Sequence, residues 1–180
     1  MDLGVMTMDH LVSAGSTGTM VSGRFLVTLT TFAAIGSGVV GGVFFAFSVF
    51  IMKALDRLPP AQSITAMQAI NEAAPTAWFM LALIGTAAAC VALAVAAVAS
   101  WGDPGAVHVL AGSLLYLVAI VLTGGYHVPR NNALATVDPA MVDTLHRWTT
   151  YSTGWTAWNH ARTITSIASA TLFVLALRAG

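Results

Sequence analysis

The chain has 180 residues, 57% of them apolar, and its seven basic and seven acidic side chains make up only 8% of it, against about 25% charged in soluble domains. With a mean hydropathy of +0.82, this composition cannot furnish a water-facing surface, which excludes a soluble globular enzyme and a disordered chain. A net charge of zero excludes broad attraction to nucleic acid, and the single Cys90 excludes an internal disulfide or a Cys-rich metal site.

In chain order, residues 1–24 lack the basic start, apolar stretch and cleavage site of a signal peptide and are expected to form a mobile Gly/Ser/Thr/Met tail. Residues 25–180 then form one domain. Long uncharged stretches mark its membrane spans, because a helix rises about 1.5 Å per residue and must cross roughly 30 Å of hydrocarbon. They predict spans near Phe25–Met52, Thr76–Trp101, Ala106–Tyr126 and Trp155–Leu177, giving an all-α, integral membrane four-helix bundle. The first connection stops at Pro59-Pro60 and then repeats Ile64, Met67 and Ile70 at helical spacing, which predicts a short interfacial helix. A short turn with Asp103-Pro104 joins the second and third spans. In the second long connection, 127–154, Asp138-Pro139 predicts a helix start and hence a helical extension before the fourth span, with Ser152-Thr153-Gly154 as a possible break. Ala34, Gly38, Gly42 and Ala46, and likewise Ala88, Ala92 and Ala96, form small-residue ridges for packing within the bundle or between protomers of a homo-oligomer.

Threading the chain back and forth puts both termini on one side, A, and both long connections on the other, B. Lys53, Arg57, Arg130, Arg147, His127, His146, Asn131, Asn132, Asn159, His160 and Arg162 all gather toward side B. The basic excess there predicts that loops 53–75 and 127–154 are cytoplasmic and that the membrane is the plasma membrane. Arg162 stands about two turns inside the fourth span, where an ionised group costs a few kcal/mol unless it is paired or reaches the interface. Trp148, Tyr151, Trp155, Trp158 and Arg162 recur by three and four on one helical face, as either an interfacial aromatic belt or a wall for a flat conjugated substrate. His160 sits roughly 160° around the axis from Arg162, so one narrow pocket cannot take both from a regular helix.

Of the histidines, His108 and His127 cap opposite ends of the third span and cannot share a metal; only His127, His146 and His160 can meet, without any fixed metal motif. No metal site is predicted, and haem or a metal ion through His127 and His160 is the second choice.

The runs Gly41-Gly42-Val43-Phe44-Phe45-Ala46-Phe47-Ser48, His127-Val128-Pro129-Arg130-Asn131-Asn132-Ala133-Leu134-Ala135 and Trp158-Asn159-His160-Ala161-Arg162-Thr163, with Trp148, resemble the anthrone oxygenase-like family of small four-helix membrane proteins. The resemblance spans about Phe25 to Leu177 and carries over Asn131, Asn132, Trp158, Asn159, His160 and Arg162 as motif residues. It implies an oxygenase-like protein that oxidises a hydrophobic polycyclic or phenolic substrate with dioxygen. An anthrone loses a methylene proton to give an enolate that reduces dioxygen directly, so no cofactor is required. His160 or His127 would act as base, and Arg162 with Asn159 or Asn131 would hold the enolate oxygen. Trp158, Trp155, Tyr151 and Trp148 would hold the rings, with Asn131 and Asn132 beside them. The partners expected are the lipid bilayer, a small hydrophobic substrate and dioxygen. The competing expectation is a non-catalytic membrane protein that binds haem, quinone or lipid at the same polar mouth.

Overall fold

The computed structural model describes the backbone of residues 5–179 and the side chains of residues 23–179, and contains no strand among them. Four helices are long and apolar enough to cross a membrane: Gly23–Leu55, Ala77–Ala99, Ala106–Ala135 and Thr144–Ala179. The protein is therefore an integral membrane helix bundle. The first span continues a helix that starts at Val5. The tail expected over 1–24 lies outside the described side chains, apart from Gly23 and Arg24, which belong to that helix. Each span packs on its chain neighbours, and the fourth closes the ring against the first.

The connections follow from local chemistry. Pro59, in an extended conformation, ends the first span, and Pro60 opens a loop helix, Pro60–Ala73, at the position that tolerates a missing N–H. The Ser63 hydroxyl then bonds back to the Leu55 carbonyl at 2.8 Å, closing the corner. Thr76 caps the second span by accepting the Phe79 N–H at 3.2 Å. On side A, Gly102 and Gly105 carry the turn at φ +108° and +84°. A side chain at Gly105 would also press on the Ala176 carbonyl, 3.1 Å from where its Cβ would lie, so this corner requires glycine on both counts.

The third and fourth spans differ from expectation. The third does not stop at Tyr126 but turns through Gly124-Gly125 and Pro129 to Ala135, and the fourth begins at Thr144. Asp138-Pro139 starts no helix: the Asp138 carboxylate takes the Ala140 N–H at 2.9 Å and closes a turn. Ser152-Thr153-Gly154 leaves the fourth helix unbroken. The helical extension before the fourth span is thus real, but it opens at Thr144.

Three spans contain a π turn: Phe47–Ile51, Leu81–Gly85 and Thr123–His127. All three lie toward side B. Such turns widen the helix by one residue and shift the face that follows, and they recur at functional sites. Sequence periodicity does not signal them.

Two apolar cores result. One, within the bundle, includes Val40, Phe44, Leu83, Cys90, Leu93, Tyr116 and Phe173. The other, toward side B, joins Met52 and Leu55 to Ile64 and Met67 of the loop helix and to Leu134, Trp148, Tyr151 and Trp155. The expected periodicity of Ile64 and Met67 therefore faces protein, with both side chains fully buried. Gln68 fastens this helix by donating to the carbonyls of Leu134 and Val137, both at 2.9 Å.

The small-residue ridges face the bundle only in part: Ala34 packs on the bundle core, and Ala46 and Ala96 are half-buried. Gly38 and Gly42 are exposed, and nothing lies within 4 Å of a Cβ placed on either. The close approaches are made instead by Gly36, whose added Cβ would overlap the Thr86 hydroxyl, and by Gly41, 3.2 Å from Ser166 and Ile167. Ala88 and Ala92 are likewise exposed. Substituting Gly36→Val should cost about 1–3 kcal/mol through overpacking, and Gly42→Val should leave the monomer unaffected. Denaturant unfolding in detergent that ranks the two in the opposite order would refute this helix rotation.

Candidate functional site

The space between the two cores is polar. Arg162 lies there, only 6% exposed, while all five described carboxylates, Asp56, Glu72, Asp103, Asp138 and Asp143, belong to exposed residues. Its Nε donates to Asn159 Oδ1 at 2.8 Å, and its Nη1 reaches Thr123 Oγ1 at 3.5 Å. Among the described residues the Nη2 end has no hydrogen-bond partner. The guanidinium plane is held between aromatic faces, 4.0 Å from the Phe44 centroid and 4.9 Å from that of Trp155. Phe44 belongs to the bundle core and Trp155 to the side-B core, so the arginine bridges them. A cation over a ring face is stabilised by the ring quadrupole, more strongly where water is excluded.

Asn159 holds this arrangement together. Its Nδ2 donates to the Phe44 carbonyl and to Ser48 Oγ, both at 2.7 Å, and its Oδ1 accepts from Arg162. Ser48 in turn lies 3.1 Å from Thr163 Oγ1. Both amide hydrogens are used, so Asn159 orients Arg162 and has no hydrogen left to offer an enolate. This differs from the donor role expected of it.

His127 closes the π turn of the third span, fully buried. Nδ1 lies 3.1 Å from the Leu122 carbonyl and Nε2 3.3 Å from the Trp155 carbonyl. Both nitrogens thus face backbone carbonyls, and a neutral imidazole can donate to only one of them, the tautomer deciding which. The ring meets Trp155 edge-on at 5.1 Å.

The aromatic stripe is real but divides. Trp148, Tyr151 and Trp155 are buried. Tyr151 Oη and Trp155 Nε1 both donate to Asn131 Oδ1 at 2.9 Å, and Trp148 Nε1 donates to Asp56 at 2.8 Å. Trp158 is 45% exposed and stacks on Tyr126 at 5.3 Å, outside the buried stripe. Asn132 and His160 are exposed. The helix is regular at this level, so His160 faces away from Arg162 as the roughly 160° offset requires.

His127 is therefore buried while His160 is exposed, and the two do not line one buried pocket. No group of three or more His, Cys, Asp or Glu side chains is placed to hold a metal among the described residues. Residues that sequence reasoning passed over are Ser48, Thr123 and the ring of Phe44 as a guanidinium platform.

A cavity of about 430 Å³ opens nearby on side B, between the end of the third span and the start of the fourth, with Tyr151 in its wall and the exposed His146 at its edge.

The family model described as anthrone oxygenase matches residues 76–172, more than half of the chain. The chain belongs to the anthrone oxygenase family. The matched region contains His127, Asn131, Trp155, Asn159 and Arg162, whereas the platform Phe44 and the Ser48 contact come from the first span, outside it. No curated protein and no solved structure matches the chain.

Truncating Asn159→Ala should strand the Phe44 carbonyl and the Arg162 Nε together and cost about 2–4 kcal/mol, while His160→Ala should stay within about 0.5 kcal/mol of the parent. Chemical unfolding in detergent micelles reads both; equal costs would contradict the placement of these neighbours.

Proposed function

We propose that the protein is a membrane-embedded oxygenase-like enzyme that converts a hydrophobic polycyclic or phenolic, anthrone-like substrate by forming an enolate that reacts with dioxygen. The observation that carries this reading is Arg162, buried in the bundle without a carboxylate and fixed between two ring faces with donors unassigned. A buried cation with no anion partner is costly in a bilayer and favours a ligand that develops negative charge beside it. Membership of the anthrone oxygenase family supports the same reaction class.

The steps balance without a further oxidant. His127, once turned from one of its carbonyl contacts, takes a methylene proton, and the electron pair delocalises onto the ketone oxygen as an enolate beside Arg162. Fixed donors aimed at such an oxygen act strongly where water is excluded. The enolate carbon bonds to dioxygen and passes its electrons to it, and the resulting peroxide takes up a proton. Loss of the second methylene proton then breaks the O–O bond, releasing water and leaving a quinone carbonyl. Trp155 and Phe44, whose faces hold the guanidinium, keep its surroundings apolar, and the bilayer concentrates both the apolar substrate and oxygen.

Purified protein stripped of metals by chelation and reconstituted in nanodiscs should still consume oxygen with an anthrone, and Arg162→Gln should lower kcat/KM by about 10²–10³-fold. An oxygen electrode and quinone absorbance measure both. Activity that disappears on chelation and returns with a single metal would overturn the cofactor-free reaction. A Soret band in the purified protein would favour a haem-binding role instead.

A further inference from the structure

The side-B cavity plays no part in the chemistry just proposed, yet it is built for a charged ligand. Arg130 and Arg147 both line it, with Asp143 as the sole acidic residue in its wall. Arg130 is half-buried and braced across the Tyr126 ring, 4.6 Å from its centroid. It also lies beside Gly154, where an added Cβ would come 3.7 Å from Nη1. A long side chain held flat in this way has lost most of its freedom before any ligand arrives. The remaining wall is mixed: Leu134 and Val137 stand beside the ring of Tyr151 as an apolar floor, and His146 and Thr150 add polar groups. At about 430 Å³ the cavity falls within the range of small-molecule sites.

We infer that this cavity is a vestibule that binds a small aromatic acid, with a carboxylate or ionised phenol on Arg130 and Arg147 and the ring on Leu134, Val137 and Tyr151. A free phosphate would need the two cations alone, and a phospholipid would keep its apolar part in the bilayer; the apolar floor suits a ligand whose acid and ring both lie within the cavity. The Tyr151 hydroxyl is bonded to Asn131, which also holds Trp155, so the vestibule shares a wall with the Arg162 site. This inference deepens the functional reading above by adding an acidic group to the ligand, and it is tested by binding without turnover.

Calorimetry on protein in phosphatidylcholine nanodiscs would compare anthraquinone-2-carboxylate with neutral 2-methylanthraquinone. The carboxylate should bind about tenfold more tightly, and Arg130→Gln or Arg147→Gln should each remove about that factor while leaving the neutral probe within about twofold. Arg147→Lys should keep part of the preference, and Lys53→Gln, outside the cavity wall, should keep all of it. Equal affinity for the two probes, or glutamine variants that retain the preference, would overturn the inference. Stoichiometric displacement of the carboxylate by phosphatidylglycerol would overturn it in favour of a lipid headgroup. Oxygen uptake with an anthrone, measured on the same samples, separates the two readings. A lost preference with turnover intact sinks only the vestibule, and a preference without turnover sinks only the oxygenase.

Discussion

A guanidinium withdrawn from water inside a bilayer must be compensated by something, and among the described residues no carboxylate does it. Arg162 is instead held by one amide oxygen, one distant hydroxyl and two ring faces. Each of these comes at a cost elsewhere in the fold. The amide must itself be anchored, which requires Ser48 and the Phe44 carbonyl from the first span. The hydroxyl must be presented at the start of a π turn, and the rings must come from different cores. The arrangement of the first, third and fourth spans near side B can be understood as the set of positions that satisfies this one cation.

The same constraint divides the protein into two apolar bodies with a polar layer between them. The bundle core is made of spans alone, whereas the side-B core depends on a loop helix and on two spans that outrun the membrane. From Arg162 to Ala179 the fourth helix rises about 26 Å, close to the roughly 30 Å of hydrocarbon. The residues from Thr144 to Arg162 add about 27 Å beyond that level. Arg162 and His127 thus stand near the side-B boundary of the hydrocarbon, and the aromatic stripe rises above them. Membrane-like and soluble-like packing meet at the site.

Much of this was legible in the sequence. Scarcity of charge marked four spans, and the three-and-four spacing of Trp148, Tyr151, Trp155, Trp158 and Arg162 marked one face of the fourth, of which all but Trp158 is buried. The angular separation of Arg162 and His160 showed that only one of them can face a given pocket. What was not legible depends on contacts between helices. Gly38 and Gly42 look equivalent to Gly36 and Gly41 in a list of small residues, and only the rotation set by Thr86 and Ser166 distinguishes them. Asn159 looked like a free donor because its partners, a backbone carbonyl and a serine, lie more than a hundred residues away. The uncharged stretch and the length of a membrane crossing place the third span at Ala106–Tyr126, and neither reports that a π turn followed by Pro129 near the start of the next segment carries the helix on to Ala135.

The second span, Ala77–Ala99, is the shortest of the four, and the loop helix Pro60–Ala73 stands on the side-B core beside the others where they continue. That wall is tied to the third span's end by Gln68 and to the end of the first span by Ser63, and packs on the side-B core through apolar contact. Elements held mainly by apolar contact and few cross-element hydrogen bonds are where native structures open locally. Detachment of the loop helix would open the side-B core without breaking the hydrogen-bond ladders of the spans. The free energy of that detachment, rather than global stability, sets how often the aromatic stripe is uncovered.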